Sequence, residues 1–421
     1  MDNSTEMMDT SSPIIIADIG GYSIKYGYKD SPDSPKIMSN SICKVKSERR
    51  RLFIGDQLDD CKDYSGLFYI LPFNKGFPIN WDIQKQILDH TFRNKLELEG
   101  SYEDKVFLYT EPYFNFRQLR ETMLEVLYEE YGFGTLAKSV PAFLSMVKHV
   151  QQVNSDKCCL VVDSGYSFTH VVPFIGGKIV KGAIRRMDIG GKALTNHLKD
   201  IISYRQLHVL DETYVINQCK EDCCYVSSQL YKDLETCREK GNSIARDYVL
   251  PDFMTVKRGY IRDENNPNSD LQCIRMNNER FQVPEILFYP SDVGIGQIGI
   301  SHSIVHAIES CPEEFRYGLY NNIVLIGGNS CLPGYRDRIY RDVRSMADAL
   351  YDVSVTVPEN PITDPWFGGR YLVNNLPSVL DNLCLTKREY DEIGSSNCSE
   401  RMDLPTYDLN IDDSASESSK S

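Results

Sequence analysis

The sequence contains no uninterrupted run of the roughly 18 apolar residues that a membrane-spanning helix requires. Its first residues, "MDNSTEMMDTSSP", lack the basic start and the apolar stretch of an export signal. We therefore expect an intracellular protein with no membrane segment.

Positive charge is also scarce, because the chain has 46 Lys and Arg against 60 Asp and Glu, which gives a net charge of -14. This balance argues against broad, nonspecific binding of nucleic acid or anionic membrane. The 13 cysteines form no regular framework, which favours a reducing compartment. Cys219, Cys223 and Cys224 lack a second cysteine or histidine pair at matching spacing, so a buried helix face is favoured over a zinc site.

Two common nucleotide-binding motifs are missing as well. No GxxxxGK[ST] follows a strand, which excludes a P-loop, and the glycine turns lead into strands, which excludes a dinucleotide fingerprint. What the chain does contain is a repeat: "IIIADIGGYSIKYGY" (14–28) and "CLVVDSGYSFTHVVPF" (159–174) each give an apolar run, Asp-x-Gly and then alternation. Both predict strand, tight turn and strand, so we expect two similar α/β halves.

The turns favour phosphate binding. Glycine lets a ligand approach main-chain N–H groups, and Asp18 and Asp163 end the two first strands, where they could reach a divalent cation through its water shell. Lys25 can supply a counter-charge to phosphate. A single Asp-x-Gly is usually a structural turn, but the pair is joined by a third turn, "LIGGNS", that leads into a helix pattern.

With these motifs in place, residues 13–385 resemble the actin family. "DIGGYSIKYGY" is similar to its first phosphate loop, "NWDIQKQILDHTF" (80–92) to its first connecting helix, "DSGYSFTHVVP" to its second phosphate loop, "IVLIGGNSCLPG" to its adenosine motif and "WFGGR" to its second connecting segment. The resemblance implies an α/β actin-like ATPase fold with two similar RNase H-like lobes around a nucleotide cleft.

The expected organisation follows the resemblance. The first lobe spans 13–157 and is completed by 358–385, and the second spans 158–357 with an insertion at about 253–278. An N-terminal extension (1–12) and an acidic, Ser-rich tail (386–421) are expected to be disordered because they are poor in large apolar residues.

The resemblance also implies a site for ATP or ADP with Mg. Its cofactor-binding residues would be Asp18, Gly20, Gly21, Lys25, Asp163, Gly165, Lys220, Glu221, Gly327 and Gly328, with Asp18 and Asp163 near the metal. Without the resemblance, Lys220 and Glu221 would be interpreted as an exposed charged turn of helix.

Three departures from the family pattern predict a poor or inactive ATPase. Tyr22 and Tyr166 stand in the phosphate loops, where the family has a small residue and an acid. Pro141 occupies the position of the water-positioning glutamine and has neither a side-chain donor nor an N–H. His170 still matches the family's other water-side residue, so slow turnover stays open.

Within the family, the sequence is most similar to nuclear members that are subunits of Swr/SRCAP-type chromatin remodelling complexes. That similarity implies a noncatalytic scaffold in the nucleus, with the cytoplasm as a second location. The implied partners are a large Snf2-type remodelling ATPase, a small zinc-finger-type subunit, and histones or nucleosomes, with DNA contact as a further option.

Two alternatives remain at this point. The first is a weak ATPase or phosphotransferase of the superfamily that includes sugar kinases and heat-shock chaperones. The second is an actin-like filament, which is disfavoured because "NSICKVKSERRRLFIGD" replaces actin's subunit-contacting loop with a shorter, basic stretch. Lys44, Lys46, Arg49, Arg50 and Arg51 of that stretch could contact DNA, although a solvated loop is favoured.

Overall fold

A computed structural model describes residues 13–402 except 33, 47, 49, 62–65, 154–157 and 264–270. The strands in chain order are β1 Ile14–Ile19, β2 Ser23–Tyr28, β3 Lys36–Ser39, β4 Ile42–Lys44, β5 Phe53–Ile54, β6 Phe68–Ile70, β7 Phe73–Asn74, β8 Phe77–Pro78, β9 Val106–Thr110, β10 Thr135–Ser139, β11 Cys159–Ser164, β12 Thr169–Ile175, β13 Lys178–Ile179, β14 Arg185–Met187, β15 Arg246–Val249, β16 Tyr260–Ile261, β17 Cys273–Met276, β18 Ile323–Ile326, β19 Val355–Thr356 and β20 Cys384–Thr386.

The helices lie between these strands and after the last of them. They are α1 Trp81–Asp89, α2 Arg117–Glu125, α3 Pro141–Val153, α4 Gly191–Arg205, α5 Thr213–Cys223, α6 Leu230–Thr236, α7 Glu279–Glu285, α8 Ile300–Glu309, α9 Glu313–Tyr320, α10 Tyr335–Met346, α11 Asp364–Asn375, α12 Pro377–Leu383 and α13 Lys387–Arg401. In the described part of the chain, no helix combines the length and the apolar character needed to cross a membrane.

The two larger sheets repeat one arrangement. The first has the order β20-β10-β9-β1-β2-β3, in which β1 is antiparallel to β2 and parallel to β9. The second has the order β13-β12-β11-β18-β19, in which β11 is antiparallel to β12 and parallel to β18. Each glycine hairpin of the sequence therefore lies at the centre of its own sheet, and the predicted actin-like α/β fold is confirmed.

Two helices join the sheets through a shared core. That core includes Ile16 and Leu108 of the first sheet, Val161 of the second, and residues of both α3 and α11. Trp366 of α11 donates its indole N–H to the backbone oxygen of Ile16 over 3.0 Å. The prediction that segment 80–92 connects the lobes is wrong, because α1 packs into a separate core built from the first sheet and its helices.

The prediction of a disordered tail from residue 386 is wrong for its first part, where α13 forms. Thr386 and Glu389 make a capping box at the start of this helix. Tyr390 and Cys398 are buried against the first lobe's core, and the Tyr390 hydroxyl donates to Glu129 over 2.7 Å. Residues 1–12 and 403–421 lie outside the described residues, so the disorder predicted there stays a prediction.

The predicted insertion at about 253–278 contributes β16 and β17 to a small sheet of order β16-β15-β17, and β15 precedes it. Its loop at 264–270 lies outside the described residues. Cys219, Cys223 and Cys224, at the end of α5 and just after it, are all buried in the second lobe's core, which confirms the predicted buried helix face.

Candidate functional site

The two glycine hairpins make the same tight turn and meet across the cleft. In each, the N–H of the first glycine donates to a carbonyl three residues later over 3.1 Å: Gly20 to Ser23, and Gly165 to Phe168. A β-carbon added at Gly21 would lie 2.6 Å from the hydroxyl oxygen of Ser167. Glycine at position 21 therefore allows the two turns to approach each other.

Two carboxylates form the floor of the cleft. Asp18 accepts from Lys25 Nζ over 3.0 Å and from the Thr110 hydroxyl over 2.7 Å, so its charge is balanced inside the first lobe. Asp163 has no such balance: burial and the neighbouring Asp18 charge raise its pKa to about 7, and Lys25 offsets only part of the effect. A cation between the two carboxylates would relieve this repulsion.

Helix α5 contributes a buried polar cluster on the opposite wall. Lys220 is only 5% exposed and donates to the Gly191 carbonyl, the Thr195 hydroxyl and Asn217 Oδ1 over 2.9–3.3 Å. Asn217 in turn donates to Glu221 over 2.8 Å. Burial lowers the pKa of Lys220. The alternative interpretation of Lys220 and Glu221 as an exposed charged turn is therefore wrong for Lys220.

The third turn is fixed to the second one. Gly327 has φ 88°, and a β-carbon there would lie 2.4 Å from the backbone oxygen of Ser164, so a side chain is excluded on both counts. Asn329 Nδ2 donates to the Ser164 hydroxyl over 3.0 Å and to the Gly165 carbonyl over 2.9 Å. These contacts hold the Gly327 turn beside the second glycine hairpin.

The three turns and α5 enclose a cavity of about 460 Å³, a size typical of small-molecule sites. All ten predicted binding residues line it: Asp18, Gly20, Gly21, Lys25, Asp163, Gly165, Lys220, Glu221, Gly327 and Gly328. Three further residues that the sequence reasoning missed take part in the site, namely Thr110, Asn217 and Asn329. Their roles depend on contacts between distant segments, which no local pattern reveals.

The cleft residues fit a phosphate-bearing ligand with a divalent cation. Among the described residues, the backbone N–H groups of Gly21, Tyr22, Tyr166 and Ser167 make no protein hydrogen bond, although all four residues line the cavity. Such turn N–H groups suit phosphate oxygens. Over the same part of the chain, no cluster of three or more His, Cys, Asp or Glu could hold a metal directly. A cation would thus be held by Asp18 and Asp163 together with water and the ligand's own phosphates.

The three residues that depart from the family pattern all line this cavity. Tyr22 and Tyr166 line the cavity, and their ring centroids are 4.9 Å apart across the two turns. Pro141 also lines the cavity, as the first residue of α3. The cavity wall therefore carries the apolar ring of Pro141 at the position where hydrolysis would need an amide side chain to orient water.

The prediction of a water-side position for His170 is wrong. The side chain is fully buried and lies outside the cavity lining, with its ring 4.3 Å from Phe168 and 5.2 Å from Tyr113. Neither ring nitrogen has a hydrogen-bond partner among the described residues. Burial, with a smaller contribution from Arg186, lowers the pKa of His170 to about 3. The imidazole is therefore neutral, and it does not line the cavity.

Arg186 joins the lobes near His170. Its guanidinium lies 4.8 Å from the Phe77 ring of the first lobe and 4.9 Å from the Phe168 ring of the second. It also donates to the backbone oxygen of Lys75 over 2.8 Å. This arrangement, called here the Arg186 clamp, holds the two lobes together on that side of the cleft.

Comparison with known proteins agrees with the fold and the site. The family model described as Actin matches residues 8–403. The chain is 40% identical over 401 residues to the Drosophila melanogaster protein named Actin-related protein 6, covering 93% of this chain and 100% of the fly protein. It is 33% identical over 421 residues to Actin-related protein 6 of Arabidopsis thaliana, covering 93% of this chain and 99% of the plant protein.

Proposed function

Because this chain belongs to the actin family, we propose that it is a noncatalytic actin-related scaffold in a nuclear chromatin remodelling complex that exchanges a variant histone into nucleosomes. Adenine nucleotide with Mg would serve it as a structural ligand. The nuclear and chromatin parts of the proposal are supported by the sequence resemblance described above and by the relatives named Actin-related protein 6.

Pro141 is the observation that carries the noncatalytic assignment. Hydrolysis needs a group that orients the attacking water, and general acid–base assistance of this kind typically contributes about 10²–10⁴-fold. Pro141 lines the cavity without a side-chain donor or acceptor, and the nearby His170 is buried and neutral. Pro141 therefore has no side-chain group that could orient a water for attack on a terminal phosphate.

A nucleotide that is held but not hydrolysed still has a physical role. A ligand that binds only the folded protein stabilises it by about 2.7 kcal/mol when its concentration is 100 times its Kd. The cleft residues come from both lobes, so a bound nucleotide would contact Gly20 and Lys25 on one side and Gly165 and Lys220 on the other. The bound nucleotide would then stabilise the association of the two lobes.

The proposed partners are a large Snf2-type ATPase, a small zinc-finger-type subunit, and histones or nucleosomes. We assign partner specificity to the insertion at about 253–278, whose side chains include the largely exposed Met254. Deletion of 264–270 should leave the monomer folded but reduce its incorporation into the complex, measured by co-purification. Normal incorporation would refute this assignment.

Direct DNA contact by the basic stretch is a weaker part of the proposal. Arg49 lies outside the described residues. Arg51 is half-exposed, pairs with Glu48 over 3.5 Å and lies 4.5 Å from the Phe53 ring, so it is partly engaged within its own lobe.

The noncatalytic assignment is tested by single-turnover hydrolysis with purified protein and Mg-ATP. We expect negligible turnover in the wild type. Pro141→Gln, which restores a side-chain donor and acceptor, should raise the rate by about tenfold to 100-fold. Pro141→Ala is the matched control, since it gains the same backbone N–H as Pro141→Gln but no side-chain donor or acceptor, and should stay at the wild-type rate. Efficient wild-type hydrolysis would instead support the ATPase alternative.

The complex assignment is tested by affinity purification of the tagged protein from nuclear extract, followed by mass spectrometry. Stoichiometric recovery of a Snf2-type ATPase with other remodeller subunits is the expected result. Recovery of the protein alone, or as a homopolymer, would refute it.

A further inference from the structure

Four tyrosines from different parts of the chain meet where the two lobes approach each other above the cavity. Tyr22 and Tyr69 belong to the first lobe, and Tyr166 and Tyr214 belong to the second. The ring centroids of Tyr22 and Tyr166 are 4.9 Å apart, and those of Tyr69 and Tyr214 are 6.2 Å apart. Each lobe thus supplies one member of each pair.

The two pairs form successive layers. Tyr22 and Tyr166 line the cavity, whereas Tyr69 and Tyr214 do not, and all four side chains are partly buried. Burial raises the pKa of Tyr69, and Tyr22, Tyr214 and Tyr166 are close enough to add to that effect. The four rings therefore form one group, of which Tyr22 and Tyr166 line the cavity.

Polar contacts join the lobes at the same place. Asn217 Nδ2 of α5 donates to the Tyr22 hydroxyl over 3.2 Å. The Glu212 carboxylate, just before α5, lies close to the Gly66 backbone and to Lys46 of the first lobe. Both contacts cross from one lobe to the other.

An apolar cluster supports the outer pair. Tyr69 and Tyr214 pack against buried side chains of the first lobe that include Cys43, Phe53 and Leu67. Tyr214 thus places a second-lobe side chain on a first-lobe core, and that contact does not depend on a ligand.

We propose that Tyr22, Tyr69, Tyr166 and Tyr214 form a latch that closes this side of the cleft and sets the rate at which nucleotide enters and leaves. The Arg186 clamp holds the lobes together near His170 as well, so release requires an interlobe contact to open. The proposal rests on the proposed function, since it concerns retention of the nucleotide that the cleft would hold.

The test uses the full-length protein loaded with N-methylanthraniloyl-ADP and chased with excess unlabelled ADP. In the variant Tyr69→Ala with Tyr214→Ala, the cavity lining is untouched, so a change in release reports on the latch. Loss of one aromatic pair corresponds to about a twofold to tenfold change in rate, and we expect release to be faster by about that factor. Release at the wild-type rate would overturn the latch.

The matched control is Tyr204→Ala with Tyr231→Ala, because these second-lobe tyrosines are 91% and 82% exposed. Its release rate should equal that of the wild type. If the first double variant fails to fold, Tyr214→Leu retains apolar packing on the first-lobe cluster while removing the ring pair, and the same acceleration is expected.

A second readout separates the latch from the proposed function. If neither the wild-type protein nor any variant retains the nucleotide, the proposal that the cleft holds a nucleotide is refuted. Amide hydrogen exchange of the ligand-free protein then tests the latch independently. Faster exchange over β6 and the first turn of α5 in the Tyr69/Tyr214 variant than in the control would support it. Equal exchange in the two variants would overturn it.

Discussion

Replacing Gly368 by alanine tests the packing that joins the two lobes. Gly368 lies in α11 against α3, and a β-carbon there would be 2.1 Å from the backbone oxygen of Leu144 and 2.4 Å from its carbonyl carbon. Backbone atoms cannot rotate away as a side chain can, so the two helices must separate. Overpacking of this kind typically costs about 1–3 kcal/mol, and more when backbone must move.

The neighbouring glycine supplies a matched control. A β-carbon at Gly369 would meet only side-chain atoms, Ile16 Cγ2 at 3.0 Å and Leu108 Cδ2 at 3.3 Å, which can shift by a few tenths of an ångström. Both substitutions gain about 1 kcal/mol of helix propensity. We therefore expect Gly368→Ala to lose about 2 kcal/mol net and Gly369→Ala to stay near the wild type.

Equilibrium urea unfolding of the ligand-free protein measures this difference, followed by the fluorescence of its two tryptophans, Trp81 and Trp366. A lower midpoint with an unchanged slope is the expected signature of Gly368→Ala. Equal midpoints for the two variants would refute the claim that close backbone contact between α3 and α11 holds the lobes together.

Two further perturbations test the cleft. Because burial and Asp18 raise the pKa of Asp163 from 3.8 to about 7, the folded protein binds a proton that the unfolded chain has lost, and stability falls as pH rises through this window. Asp163→Asn should therefore melt clearly higher than the ligand-free wild type at about pH 8 and only slightly higher at about pH 4, by scanning calorimetry; an equal gain at both pH values would contradict the assignment. Arg186→Met keeps the aliphatic stem but loses the hydrogen bond to Lys75 and the stacking on Phe77 and Phe168, so amide exchange across β7 and β8 should accelerate. Unchanged exchange there would show that the clamp does not hold the lobes.

The sequence predicted the hairpins and the cleft lining because both depend on local pattern. An apolar run ending in Asp-x-Gly is enough to specify β1 with β2 and β11 with β12, and the motif resemblance placed Lys220 and Gly327 correctly at the cleft. The local sequence pattern did not predict which of these polar side chains would be buried. Lys220 becomes buried only because Gly191 and Thr195 of α4 pack onto it.

Helix α13 and His170 were missed for related reasons. The helix has few apolar residues, so composition indicated disorder, but a capping box and the i,i+4 pair of Lys387 with Asp391 stabilise it locally. The position of His170 is set by Tyr113 and Phe168, one of which lies in a distant segment. Neither contact leaves a periodic signal in the sequence.

The proposed loss of catalysis and the proposed closure of the cleft involve neighbouring residues. Tyr22 and Tyr166 put aromatic rings in the phosphate turns, and the same rings supply an interlobe contact. Phe168 encloses His170 away from the cavity, and the same ring stacks on Arg186 to clamp the lobes. Aromatic rings at the two phosphate turns thus supply contacts between the lobes. It follows that Pro141→Gln alone should recover only the contribution of water orientation, because the other changes also stabilise the closed protein.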